Sequence, residues 1–382
     1  FMQLIYSKIA VFVLLIILGI SLKNKFGGKP EKLGIKKFIL NISLPATILI
    51  SFISFEIELD FLYLPLAGIV LNFFVFLLSP SILKISRINK ASRKGKTLTM
   101  LLSSFAPGIS CFPIIEEFLG SEYLIRASLI DFGNKLFVLV FLLILSYRLH
   151  YSTQGIKYKK NNISPKNIIK SIFTEPINLV LIFSTIILSL GFTIDEIPKI
   201  FVDTLNRMKD TLTPLVLIFI GLSIIFSKEA LRDIIPVLFI RAGVCLFFTI
   251  CAVNTFGLNN GDDIIFYLAL SLSSVSFWPF AHMTLINEVE KKAKIKNRTF
   301  DMGYGLNFLA YSLPFSTILI LLLISQRNTV LDLSFVLLLS ITMILIGFVM
   351  LLINSRIEFF KNPHSGNTPK KWSLNYFFQS LL

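Results

Sequence analysis

The residues best placed to do chemistry lie in two apolar stretches that contain helix breakers. One reads Ser103-Ser104-Phe105-Ala106-Pro107-Gly108-Ile109-Ser110-Cys111-Phe112-Pro113. The other reads Ser271-Leu272-Ser273-Ser274-Val275-Ser276-Phe277-Trp278-Pro279-Phe280-Ala281-His282. Proline removes a backbone donor, and glycine releases the chain from helical angles. Backbone freed inside an apolar segment is tolerated only against protein or a water-filled cavity. Half-helix N-termini there offer partial positive charge to an anion, and C-termini offer carbonyls to a cation. Pro107, Gly108, Ser110 and Pro113, with Ser274, Ser276, Trp278 and Pro279, are therefore the candidate substrate-binding residues. For either stretch alone, a proline kink with serines bonded back onto the preceding turn is the competing reading.

Ionisable groups within apolar stretches form a second set. Asp131 and Lys135 are four residues apart and share a helix face. They read either as a structural ion pair or as a protonatable carboxylate coupled to transport. Arg241 could draw an anion into a cavity or snorkel toward headgroups. His282 could switch protonation at moderate acidity or simply pack between helices. Asn41 and Pro45 face either the site or a neighbouring helix. Glu116 and Glu117 read as solvated acids at a membrane rim.

Other chemistry finds no support. Nucleotide-cradling, zinc-protease and nucleophile-elbow motifs are missing, and the acids do not cluster at ligand spacing. Cys111, Cys245 and Cys251 form no CxxC pair, so neither a disulfide framework nor a metal site is expected. The expectation is no enzyme, no cofactor and no metal, with proton or sodium coupling left open.

These residues must be positioned by membrane spans. The 382 residues are 54% hydrophobic and 13% aromatic, with mean hydropathy +0.78. A span takes about 20 apolar residues. About eleven such stretches are legible: 4–22, 38–54, 61–83, 98–119, 124–147, 172–192, 211–227, 233–254, 263–286, 302–325 and 331–354. The first is long enough to span, and no small-residue cleavage site follows it, so no cleavable signal is expected. The net charge of +15 sits mostly in every second link, as topology signals do, and not on one face as for nucleic acid. The basic links hold Lys23 to Lys37, Lys84 to Lys96, Arg148 to Lys170, Lys228 and Arg232, Lys291 to Arg298, and Arg356 to Lys371. Basic links mark the cytoplasmic side, which puts the N-terminus outside and the C-terminus inside a multi-pass inner-membrane protein. The segment 195–209 reads as an amphipathic piece at the outer surface.

Spans one to five then start outside and spans six to ten start inside. The expected fold is all-α and polytopic: a 5+5 inverted repeat with two broken crossover helices plus an extra C-terminal helix. Residues 1–148 form the first repeat, 149–171 a cytoplasmic linker, 172–325 the second repeat, 331–354 the additional span and 355–382 a cytoplasmic tail. The two breaker-rich stretches occupy the fourth position of each repeat.

The chain at this point resembles the auxin efflux carrier family of plant and bacterial permeases. Phe38-Ile39-Leu40-Asn41-Ile42-Ser43-Leu44-Pro45-Ala46 is similar to the family's N-x-x-L-P-A stretch. Cys111-Phe112-Pro113-Ile114, Phe118-Leu119-Gly120, and Ala127-Ser128-Leu129 with Asp131 and Asn134 resemble its G-x-P, F-G and A-S-x-x-D-x-x-N run. Glu175-Pro176-Ile177-Asn178 resembles a family N-P-L start, and Thr213-Pro214-Leu215 through Ile220-Gly221-Leu222-Ser223 a family A-P-L to G-L-S run. The likeness covers about residues 2–325. It implies the fold of bile-acid symporters and sodium/proton antiporters, and secondary transport of small organic anions. The chain departs where the family often has crossover asparagines: Ala106 stands in one place, and Ala281 or His282 in the other.

The expected function is a secondary transporter of a small organic anion, working by alternating access in a lipid bilayer. A homodimer is compatible with it. The alternative is a membrane sensor or scaffold that keeps the fold without transport.

Overall fold

The computed structural model describes residues 2–26, 28–54, 63–155, 194–224 and 232–361, with 179, 180, 182–184 and 186. Among them there are helices and no strands. The elements are α1 Met2–Ser21, α2 29–54, α3 Leu64–Ile85, α4 Arg93–Leu102, α5 Phe112–Leu119, α6 Ser121–Thr153, α7 Lys199–Asp210, α8 Leu212–Ser223, α9 Ile235–Phe256, α10 Gly261–Ser271, α11 Trp278–Lys292, α12 Met302–Ser325 and α13 Leu333–Lys361. Helix α2 passes through one π-helical turn at Ile39–Ser43, and α6 through another at Phe137–Leu142.

Among the described residues six helices are long and apolar enough to cross a membrane: Pro30–Ser51, Leu64–Ile85, Ser121–Thr153, Ile235–Phe256, Met302–Ser325 and Leu333–Asn354. The other apolar stretches read from the sequence divide three ways. Those at 98–119 and 263–286 are split into α4/α5 and α10/α11, and those at 4–22 and 211–227 give the shorter α1 and α8. The stretch 172–192 lies largely outside the described residues, as do the 156–171 part of the linker and the 362–382 part of the tail. The amphipathic segment forms α7, with Ile200 and Phe201 exposed.

Alternate links gather at common ends of the bundle. At one end Lys94 pairs with Asp233 at 2.9 Å, and Lys96 donates to Thr153 at 2.8 Å. There also His150 meets Glu290 at 2.8 Å and Arg93 donates to the Phe300 carbonyl. At the other end Lys8 pairs with Glu117 and Lys209 with Glu116, both at 2.8 Å. Arg126 pairs there with Asp263 at 3.0 Å, and Arg327 with Asp262. Glu116 and Glu117 are thus engaged by cations of α7 and α1; Glu117 is exposed, as a rim acid should be, while Glu116 is half-buried.

Small residues let helices approach where apolar attraction alone does not drive them together. Gly19 of α1 lies against Gly221 of α8, and Gly68 of α3 against the Ile130 carbonyl of α6. On α6, a Cβ at Gly133 would overlap the Pro65 carbonyl oxygen. That oxygen is backbone and cannot swing away. Gly133→Val is therefore expected to push α3 off α6 and destabilise the protein by at least about 1–3 kcal/mol, the usual range for overpacking. A melting curve in detergent unchanged from the parent would refute this. The extra helix α13 packs along α9 in the same way, with the Ser340 hydroxyl donating to the Gly243 carbonyl at 2.9 Å and Gly347 close against Pro236.

Candidate functional site

Helix α4 stops at Leu102 for local reasons. Ser103 donates back to the Thr99 carbonyl and Ser104 to that of Leu101, which competes with continuation of the helix. Pro107 then holds Ala106 out of helical angles, at φ −136° and ψ 68°. A single turn, Pro107–Ser110, leads through a second break at Cys111 into α5. Helix α10 ends the same way: Ser271 donates to Leu268 and Ser273 to Leu270. Residues 272–277 leave the α-helix, and α11 restarts at Trp278 with Pro279 in its first turn. Proline is welcome there because the first N–H groups of a helix have no internal partner.

The two interruptions meet. The Ala106 N–H donates to the Ser274 carbonyl at 2.7 Å. In return the Ser274 N–H donates to the Ser110 hydroxyl at 3.0 Å, and the Ser276 N–H to that of Ser104 at 3.1 Å. The Val275 N–H finds the Ser312 hydroxyl of α12 at 3.2 Å. Backbone that neither helix can satisfy is satisfied by the other. The α4/α5 pair runs from the end holding Lys94 to that holding Glu117, and α10/α11 runs from Asp263 back to Glu290. The two broken helices therefore cross antiparallel.

Arg241 of α9 ties the crossing together. Its guanidinium donates to the carbonyls of Leu102 (3.0 Å), Ser104 (3.0 Å) and Ser273 (2.9 Å), and stacks over the Phe105 ring. Arg241 is 3% exposed, so its guanidinium does not reach the surface in this conformation. The rigid guanidinium fork bridges carbonyls of both interruptions at once.

Asp131 and Lys135 form a buried ion pair at 3.1 Å. Asn134 links this pair to the crossing: its amide donates to Asp131 Oδ1 and to the Phe105 carbonyl, both at 2.8 Å, while its oxygen accepts from the Phe105 N–H. His282 is buried, with Nε2 3.2 Å from the Val138 carbonyl, so it packs α11 on α6. Asn41 is exposed and donates to Lys37 on its own helix, and Pro45 is half-buried. Of the proline and glycine candidates, Pro107, Gly108 and Pro113 are buried with Ser110, Ser274, Ser276 and Pro279, while Trp278 is half-buried.

The sequence reading did not single out Lys36. It sits in a lysine-rich stretch taken as a topology signal, yet its ammonium lies 4.2 Å from the centre of the Phe277 ring, at the start of α11. The bracing by Asn134 was also missed as a contact, although the residue stands in a recognisable run with Asp131. A helical offset of three from Asp131 was the available signal.

No protein-family model matches the chain. It is 26% identical over 235 residues to an uncharacterized transporter of Methanocaldococcus jannaschii, in an alignment covering 60% of this chain and 71% of that protein. Its own apolar helices make this chain a multi-pass membrane protein.

Proposed function

We propose that the chain is a secondary carrier of a small organic anion that works by alternating access around the crossed interruptions. The observation that carries this reading is the antiparallel crossing of two broken helices, stitched by Ala106, Ser274, Ser276, Ser104 and Ser110. Two half-helix N-termini and a set of freed carbonyls converging inside an apolar bundle are the arrangement in which transporters hold substrates. The likeness to a protein named as a transporter supports the same reading, as does the motif resemblance to auxin efflux carriers. On this reading the chain is a 5+5 inverted repeat, the end bearing Lys94 and Lys291 is cytoplasmic, and the candidate coupling groups are Asp131 and His282.

The test is flux. Protein in liposomes should accumulate radiolabelled carboxylates against an empty-vesicle control, with a rate that responds to a pH or sodium gradient. Pro113→Ala and Pro279→Ala should lower uptake about tenfold or more, the scale of one lost 1.4 kcal/mol interaction, at normal membrane yield. Proline at these first-turn positions costs the helix nothing and fixes where α5 and α11 restart, so its removal frees the restart to shift along the chain. Normal uptake in both variants would remove the crossing as the site. No flux of any carboxylate under either gradient would sink the carrier reading in favour of a sensor or scaffold.

A further inference from the structure

We propose that Lys36 is the residue by which the crossing selects anions, a step that rests on the carrier reading above. Lys36 belongs to α2, within the apolar span Pro30–Ser51, and is half-buried. Its ammonium lies over the Phe277 ring, and among the described residues it forms no hydrogen bond and no ion pair. The other cations near the crossing are committed: Arg241 to three carbonyls and Lys135 to Asp131. A cation inside a span is costly and ordinarily has a partner. A ring face at this distance is a weak one, which an arriving carboxylate displaces with a charge-assisted bond.

Phe277 is the accessible residue of its segment. Residues 271–276 and Pro279 are buried, whereas Phe277 between them is 47% exposed and Trp278 half-buried. Phe277 is also the N-cap of α11, a helix of 15 residues. The positive end of that helix thus starts at the residue whose ring Lys36 covers. Ammonium and helix end favour the same sign of charge, from two different elements, on the exposed side of the crossing.

The protein has two tryptophans, Trp278 and Trp372, so Trp372→Phe leaves a single reporter beside the site. In nanodiscs, emission from this variant is titrated with benzoate, succinate and inorganic phosphate, and with benzamide as the uncharged match to benzoate. Saturable changes with at least one of the anions and none with benzamide are expected. Lys36→Gln should weaken anion binding about tenfold or more, and Lys36→Arg should restore most of it. If Lys36→Gln binds anions as the parent does, or if no anion changes the emission, Lys36 is not the selecting charge. Uptake that survives Lys36→Gln unchanged sinks this proposal and leaves the carrier standing. Binding that depends on Lys36 without any flux does the reverse.

Discussion

Arg241→Met is expected to unfold the crossing and end transport together. The substitution roughly preserves length and packing but removes donors from the carbonyls of Leu102, Ser104 and Ser273. These carbonyls lie where two helices have stopped, so no helical N–H replaces the guanidinium. A buried acceptor left without a partner costs about 1–3 kcal/mol, so the three together are worth on the order of 3–9 kcal/mol before the lost stacking on Phe105 is counted. A lysine in place of Arg241 would keep the charge but present one point donor where a planar fork spans both interruptions. Arg241→Lys should therefore recover only part of the stability. Thermal melting in detergent reads the effect, and an unchanged midpoint for Arg241→Met would show that the carbonyls find other partners.

The second large effect concerns the Asp131–Lys135 pair. Asp131→Ala removes the carboxylate that the buried Lys135 ammonium meets at 3.1 Å, and breaking one side of a buried pair costs about 3–5 kcal/mol. It also removes an acceptor from Asn134, whose amide holds the Phe105 carbonyl at the crossing. The double variant Asp131→Leu with Lys135→Met removes both charges and should recover most of the loss, because a well-packed apolar pair often matches a buried ion pair. The same variants separate structure from coupling. If the double variant folds and transports with an unaltered pH profile, the pair is structural. If it folds and transports but no longer responds to a proton gradient, Asp131 carries the proton. Parent-like melting of Asp131→Ala alone would show that Lys135 is satisfied without it.

The sequence was informative where the physics is local. Serine-rich runs ending in proline stop helices through their own side chains and rings, so 103–113 and 271–279 could be read as interruptions without coordinates. Alternation of basic and acidic links assigned the ends of the bundle in a way that the Lys94–Asp233 and Lys209–Glu116 contacts respect. The spacing of Asp131 and Lys135 was enough to put them on one helix face, and the structure brings them into an ion pair.

Other roles depended on which distant groups lie opposite. Arg241 is separated from Leu102 by 139 residues, and nothing in its neighbours along the chain distinguishes a fork across two broken helices from a snorkelling side chain. Asn41 sits in a suggestive motif, yet it bonds within its own helix. Lys36, in a stretch that reads as a simple topology signal, is the residue that reaches Phe277. What the chain determines by itself is where helices begin, stop and change sides, because those follow from ring constraints, side-chain back-bonding and the cost of burying charge. Which freed carbonyl meets which donor is decided only when the helices pack, since backbone groups are alike in every sequence and only the three-dimensional crossing pairs them.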